Sequence, residues 1–565
     1  MTAERRAGDQ RAVELEALDR AGPLRVAAAL DAALDPPEPG EAATLAALEA
    51  FVRETLPPAR TDALEAAGAF PEAELEALLR GPLGRALVPA DQGGDLDWGT
   101  LMRVCARLAA HDLGFTLCLG GVVLGSLPVL VAGDATQRAD FFGAVRAGGL
   151  AGLGLSEWAH GSDLLAGETL ANPLDAGGNP TDAKAAATFR LRGLKRPINN
   201  ASRAARLVVL ARTGEAGDPF GASLFLVPRG TPGLRAGGPV PWSGYPGLDL
   251  DTVRLEDAPL PASALLGAPG DGFALTRRTL EISRSGVACM ALGAHAATFA
   301  HGLAHARARR LYGAPIAELD AVRQLLADVF ARLQLAWALG RLAARATARA
   351  ALAARAWTCA AKLLAPRLLE DSIRDVGTLL GARSLFRPHP FHRLRRDAPV
   401  LAIFDGSSPL QQDELWRHAL AWKDGSPPPL HHGGPFDAWA EDDAVRAMAP
   451  PGMLAGPWKA AADAVRSRAR ESRRAPQDVR FRLSEAAAWL HGLAALRHLA
   501  GEGPAFAHAA RVAAEPVAAR LAELGAPDEA AALRDADDAR GSTGRALFAI
   551  LNAAPWISSS EDGSP

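Results

Sequence analysis

The sequence predicts an α+β protein: an N-terminal helical domain, a central β domain inserted between helices, a C-terminal four-helix bundle, and a further helical region beyond it. Three observations predict this order. From about Leu24 to Gly149 apolar residues recur at helical spacing. Between Leu150 and Asp257 that period gives way to short alternating or β-rich runs separated by Gly, Pro, Asn and Asp. From Gly272 to about Trp422 the helical period returns.

Taken in order, the N-terminal domain (1–149) contains runs such as Ala43 to Leu56 and Thr100 to Ala110, broken by Pro and Gly. Within it Leu113 to Gly133 carries no charge over 21 residues, long enough to span a bilayer. Five glycines and Pro128 interrupt the segment and no aromatic belt flanks it, so a buried core helix with a turn is expected. The β domain (150–262) has its strongest strand runs at Thr188 to Arg192, Leu207 to Ala211, Ser223 to Val227 and Thr252 to Leu255. Stretches such as Ala291 to Arg310 and Leu319 to Ala354 read as helices of the bundle (263–425). Lys423 to Phe436, rich in Pro, Gly and His, reads as a linker to the helical extension (437–556), and 557–565 as a disordered tail.

Composition excludes several classes. With 49% apolar and 22% charged residues the chain is globular in type, and a net charge of −3 provides no global attraction to nucleic acid or anionic lipid. Cys105, Cys118, Cys289 and Cys359 lie far apart with no Cys-x-x-Cys pair, so no metal site is expected and the thiols read as buried in a reducing cytoplasm. Met1 to Ala12 leads into no apolar segment, which argues against a secretory signal. Neither a Walker loop nor a Gly-x-Gly-x-x-Gly after a strand is present.

Four segments carry chemistry-bearing residues. The first is Leu153-Gly-Leu-Ser-Glu-Trp-Ala-His-Gly-Ser-Asp163, whose small hydroxyl residues and Gly suit close approach of main-chain N–H groups to an anionic or flat ligand. The second, Leu191-Arg-Gly-Leu-Lys-Arg-Pro-Ile-Asn-Asn200, reads as a hairpin with an Asn-containing turn. The third, Arg309-Arg-Leu-Tyr-Gly-Ala-Pro-Ile-Ala-Glu-Leu-Asp-Ala-Val322, is a Gly-Pro break between two helices. The fourth is Arg395-Arg-Asp-Ala-Pro-Val-Leu-Ala-Ile-Phe-Asp-Gly-Ser-Ser408, in which Asp405 precedes a turn.

In this order and on this helix–β–helix background, the four segments resemble the acyl-CoA dehydrogenase family. The resemblance implies FAD, bound between the β domain and the bundle, with Leu155, Ser156, Gly161, Ser162, Ile198, Asn199, Arg309, Tyr312, Thr378, Gly381 and Ser407 as cofactor contacts. It makes Asp405 the catalytic base that takes the α-proton of an acyl thioester, and places Glu281 and Arg284 at the substrate. It further implies an acyl-CoA or acyl-carrier-protein substrate, an acceptor such as an electron-transfer flavoprotein, and a homodimer or homotetramer in which Arg309 reaches the neighbouring subunit's FAD. The chain departs from the family pattern at several of these places. Ser156 stands for Thr, Pro197 for the Trp of the flavin wall, Asn199 for Thr, Asp320 for Gln, and Asp405 for a Glu one methylene longer. The glycine-rich element is reduced to Thr378-Leu-Leu-Gly-Ala-Arg-Ser384, and Ser283 occupies the base position of another subgroup.

Two other readings stay open on the same residues: a flavin-dependent monooxygenase or oxidase, and a non-catalytic nucleic-acid-binding member of the fold. The extension bears on the second. Lys459 to Arg482 holds eight basic and three acidic residues, a solvated helix face in the usual case. In placement it resembles the extension of very-long-chain members of the family, which implies peripheral membrane contact through 459–482 as an alternative.

Overall fold

The structure, a computed structural model, describes residues 22–351, 353–419, 450–471, 475–500 and 504–538. The expected start Met1 to Ala12, the linker Lys423 to Phe436 and the tail after Trp556 lie outside the described residues. Described residues fall into two compact units. One lies within Glu41–Leu101 and Gly114–Ser283, the other within Met1–Gly40, Met102–Leu113 and Arg284–Pro565.

The first unit is built around one sheet, with strands β1 (Ala151–Gly154), β2 (Leu170–Leu174), β3 (Thr188–Asn199), β4 (Arg206–Arg212), β5 (Ala222–Pro228), β6 (Leu234–Pro239), β7 (Leu250–Pro261) and β8 (Leu265–Leu266). Their order is β6-β7-β3-β2-β4-β5-β8, with β1 added parallel to β4. All four strand runs expected from sequence fall inside β3, β4, β5 and β7. Those missed are β1, β2, β6 and β8, short or rich in Gly and Pro, which weakens the alternating signal. Phe189, Leu191, Ile198, Leu207, Val209, Phe225, Val227, Val253 and Leu260 form the core against this sheet.

Two corrections concern this unit. Leu191 to Asn200 is not a hairpin but the length of β3, antiparallel to β7, and the turn comes only at Asn200, whose φ is 60°. Pro197 sits where the β3–β7 register shifts between Lys195 and Ile198, a place where a missing N–H breaks no ladder bond. The segment 113–133 contains no turn either, since the helix Leu113–Ala132 runs through Pro128. Its glycines serve close packing. A Cβ on Gly121 would lie 2.5 Å from Asn200 Nδ2, and one on Gly125 2.9 Å from the Gly152 nitrogen. Two helices, Leu113–Ala132 and Gly272–Ala308, are long and apolar enough to cross a membrane, and their apolar windows are 72% and 94% buried in protein.

The second unit is helical. Asp320–Ala350, Arg355–Leu380 and Ser408–Ala419 form its centre together with the later turns of Gly272–Ala308. The extension is packed onto these helices: Gln477–Ala500 lies against Asp320–Ala350, Arg355–Leu380 and Ser408–Ala419, and a Cβ on Gly492 would meet Leu335 at 2.5 Å. Among the described residues, five basic residues of the 459–482 segment have acidic partners. Lys459 and Arg466 pair with Asp463 at 2.8 and 2.7 Å, Arg468 with Glu471 at 2.8 Å, Arg480 with Asp413 at 2.9 Å and Arg482 with Asp478 at 2.5 Å.

Deeper in the same unit, the helix at 22–34 inserts Asp31 and, just past its end, Asp35 among four guanidiniums. Arg103 reaches Asp31 at 2.9 Å and Asp35 at 3.1 Å, Arg107 reaches Asp31 at 2.8 Å, and Arg341 and Arg345 reach Asp35 at 2.9 and 2.8 Å.

Buried histidines give the unit an acid limit. Burial holds His295 down to about 3 and His418 and His491 to about 4, so all three are neutral in the fold at neutral pH. In the unfolded chain they protonate near 6.5. The unfolded state therefore binds more protons between about pH 6.5 and 4, and stability falls as pH drops through that window, by up to about 1.4 kcal/mol per pH unit for each histidine. We expect the thermal midpoint to be lower at pH 5 than at pH 7.5. Equal midpoints would contradict neutral burial of these rings.

Candidate active site

On the sheet unit, the loop after β1 carries Leu155 and Ser156, both half-buried, and Gly161 and Ser162, both exposed. The loop is pinned from below by Glu157, whose carboxylate accepts from Lys195 Nζ at 2.7 Å and from the backbone N–H groups of Glu168 and Thr169 at 2.6 and 2.9 Å. Burial raises the proton affinity of Glu157, yet Lys195 and the two N–H donors prevail and bring it down to about 2. Lys195 also donates to the Leu155 carbonyl at 3.0 Å, and the Arg196 N–H to the Ser156 carbonyl at 2.8 Å. The shape of the loop thus depends on β3. Trp158 stands 75% exposed on it, with the Arg196 guanidinium 4.7 Å from the ring centroid.

At the end of β3 the expected cofactor residues separate. Ile198 is buried in the sheet core, so its side chain is spent on packing. Asn199 donates its amide to the Leu117 carbonyl at 2.8 Å, while its buried Oδ1 has no hydrogen-bond partner among the described residues. The donor that the sequence offered to a flavin is committed to the 113–132 helix, and an acceptor is left over. Glu281 is wholly buried, with Arg277 Nε 3.6 Å from its carboxylate.

On the helical unit, Asp405 and Arg284 are brought together with residues that sequence reading did not single out. Arg284 donates to Glu414 at 3.0 Å and to the Cys359 sulfur at 3.3 Å, and a Cβ on Gly406 would lie 3.9 Å from its Nη2. Burial raises the proton affinity of Glu414, but Arg284, with His418 and Arg355, holds its carboxyl below the ordinary range. Asp405 has φ 56° and Gly406 φ 90°, a left-handed pair that Asp tolerates better than most residues and Gly tolerates freely. The buried Gln411 fastens this turn by donating to the Gly406 carbonyl at 3.2 Å, and Ser407 starts the helix Ser408–Ala419 by accepting from the Leu410 N–H at 3.0 Å.

Lys362 completes the cluster. It is 1% exposed, donates to the Leu401 carbonyl at 2.6 Å, and lies 5.8 Å from the Phe404 ring centroid. Burial pushes Lys362 down to about 8, opposed by the Asp405 charge and reinforced by Arg284. A signal for it existed in the sequence: only five of the 61 basic residues are Lys, and one of the five stands in the apolar run Trp357 to Leu369.

Thr378 and Gly381 lie apart from this cluster, sixteen or more residues along the chain from Lys362, a rise of about 24 Å on a helix. With Arg374, Ser384, Leu385 and Arg395 they line a cavity of about 510 Å³. Arg309 and Tyr312 are exposed, Tyr312 to 96%, at a small hairpin whose tip has φ 53° at Tyr312 and 86° at Gly313.

Comparison with known proteins bears on both units. A family model described as "Acyl-CoA dehydrogenase, middle domain" matches residues 152–258, and one described as "Acyl-CoA dehydrogenase, C-terminal domain" matches 270–420. Residues 152–258 and 270–420 thus carry the middle and C-terminal domains of the acyl-CoA dehydrogenase family. It is 28% identical over 365 residues to the mouse mitochondrial short-chain specific acyl-CoA dehydrogenase, covering 62% of this chain and 83% of the relative. An acyl-CoA dehydrogenase of Bacillus subtilis is 27% identical over 377 residues, 66% of this chain and 95% of the relative. The fold is similar to that of an acyl-CoA dehydrogenase from Bacillus anthracis, complexed with FAD, with a TM-score of 0.73 at 18% identity. That superposition covers 92% of this chain and 96% of the other, so it takes in part of the extension as well. The family, expected from four short motifs, and the helical–β–helical fold with added C-terminal helices, expected from the changes in periodicity, are both borne out.

Proposed function

We propose that this acyl-CoA dehydrogenase family member is an FAD-dependent acyl-thioester α,β-dehydrogenase, with Asp405 as the base that removes the α-proton. The observation that carries the reading is the Asp405–Gly406 turn, a carboxylate held on a left-handed backbone beside buried Arg284 and Lys362. An α-proton of a thioester is weakly acidic, so its removal at neutral pH needs a carboxylate fixed in place and kept ionised. The residues present fit the cofactor. A cavity of about 510 Å³ lined by Arg395, Thr378 and Gly381 has the size of a small-ligand site, and Arg395, which donates to the Ser384 hydroxyl at 3.0 Å, brings a guanidinium that suits phosphate oxygens. On the sheet unit, Ser156 stands on a loop clamped by Lys195, and the buried Asn199 Oδ1 is an acceptor awaiting a donor. When bound, FAD supplies the acceptor for the hydride that leaves the β-carbon.

The substrate is an acyl-CoA or an acyl-carrier-protein thioester, which share the same reacting atoms, and electrons pass on to a protein such as an electron-transfer flavoprotein. The working form is a homodimer or homotetramer, for which the exposed Arg309 and Tyr312 hairpin is the feature that extends from the helical unit. Its place is the cytoplasm, where four buried free thiols stay reduced.

Purified protein is expected to be yellow, or to become so on adding FAD, and to bleach anaerobically with one or more members of a panel of acyl thioesters. A colourless protein that takes up no FAD overturns the reading. Bleaching absent throughout the panel, with hydroxylated product formed only under oxygen, would replace it by the monooxygenase reading.

A further inference from the structure

Of the 61 basic residues 56 are Arg, and of the four lysines among the described residues two, Lys195 and Lys362, are buried to 2% and 1% exposure. A chain that uses Arg almost everywhere else keeps Lys at these two points because a compact ammonium with three rotatable donors fits where a planar guanidinium does not. Lys195 has a visible task, clamping Leu155 and Glu157. Lys362 has no carboxylate within hydrogen-bond contact of the same kind. Its hydrogen bond goes to the Leu401 carbonyl, at the end of the 3-10 turn Ala398–Ala402, four residues before Asp405.

From this arrangement we infer that Lys362 is a positioning residue for the base: it fixes the 401–405 segment through the Leu401 carbonyl and sets its ammonium close to the Asp405 carboxylate. The inference rests on the assignment of Asp405 as the base. Two physical effects meet in it. A carbonyl at the end of a 3-10 turn lacks a chain partner, and burying it without a donor is unfavourable, so the ammonium ties the strand leading to Asp405 at a defined point. The positive charge also favours a carboxylate over a carboxylic acid close by, and the mutual effect appears on Lys362, whose ammonium is favoured by the Asp405 charge against the pull of burial.

Three neighbouring helices bring further charges to the Arg284–Glu414 pair next to Lys362. Arg284 comes from the helix Gly272–Ala308, Arg355 from Arg355–Leu380, and Glu414 and His418 from Ser408–Ala419. Arg284 is paired with Glu414 at 3.0 Å and His418 is held neutral at about 4, while Lys362, held down to about 8, loses its charge within the range of the pH profile.

The test uses the FAD-loaded full chain and a thioester that bleaches it, with the bleaching rate followed by anaerobic stopped flow from pH 5 to 9.5. Lys362→Met is expected to keep FAD and substrate affinity, to slow bleaching on the order of 10- to 100-fold at pH 7, and to move the acid limb upward by about one unit or more. An inflection near pH 8 in the parent profile should be absent from the variant. Lys362→Gln, which removes the charge but keeps an N–H donor for the Leu401 carbonyl, is expected to move the acid limb in the same direction and serves if the Met variant does not fold. In an Asp405→Asn background Lys362→Met should slow bleaching no further, since the lysine acts through the carboxylate. If Asp405→Asn abolishes bleaching while Lys362→Met leaves the acid limb in place or lowers the rate equally at every pH, the lysine is only structural and this inference falls alone. If Asp405→Asn bleaches at the parent rate, the base assignment falls and the inference with it.

Discussion

Asp405→Asn should bind FAD and substrate and lose anaerobic flavin bleaching by at least ~10²–10⁴-fold, the usual consequence of removing a general base. The large effect is expected to come without unfolding. Asn is nearly isosteric with Asp and tolerates the left-handed backbone that Asp405 adopts at φ 56°. Lys362 and Gln411 anchor the turn at the Leu401 and Gly406 carbonyls, main-chain bonds that the substitution leaves in place. Anaerobic stopped flow on the FAD-loaded variant measures the rate. A variant that bleaches at close to the parent rate makes Asp405 a turn residue. The companion Asp405→Glu lengthens the arm by one methylene: preserved or raised activity toward simple acyl-CoAs marks a pocket of ordinary size, and depressed activity marks one reshaped around a bulkier acyl group.

Asp35→Asn should destabilise the helical unit by about 3–5 kcal/mol, because it removes one partner of a buried ion network rather than the whole network. Asp35 is 1% exposed, and Arg103 and Arg341, both fully buried, share its carboxylate with Arg345. Burial raises its proton affinity, yet the three guanidiniums together hold it below the ordinary range, so the charge that the variant deletes is one the fold relies on. Asp91→Asn is the control. Its pair with Arg138 has the same 2.9 Å spacing, but the Asp91 side chain is 54% exposed, and a pair in solvent contributes at most about 1 kcal/mol. Denaturant midpoints of the two variants should differ widely. Equal midpoints would show that the Asp35 cluster is hydrated in solution.

Much of the architecture was legible without coordinates. Helical spacing before Gly149 and after Gly272, with β runs between them, placed every long element of the sheet because β3, β4, β5 and β7 each bury alternate or continuous apolar residues. Motif order alone led to the family. What stayed hidden was of two kinds. Short strands such as β1 and β8 are held by partners distant in sequence, and their own composition says little. The 113–132 helix looked interrupted because its glycines and Pro128 were read as breaks, whereas Gly121 and Gly125 are points where Asn200 and β1 come too close for a Cβ.

The candidate site divides along the same line. Residue type and spacing by themselves determined that a carboxylate stands at 405 before a Gly, that small hydroxyl residues follow β1, and that Arg309 precedes a chain break, since each depends on neighbours in sequence. Only the tertiary structure decided that the Asn199 amide is spent on Leu117, that Ile198 belongs to the core, and that Lys362 lies beside Asp405 although 43 residues separate them. Hydrogen bonds and charges act over a few ångströms of space, and which side chains come that close is settled by how the helices and the sheet pack, which no local pattern in the chain records.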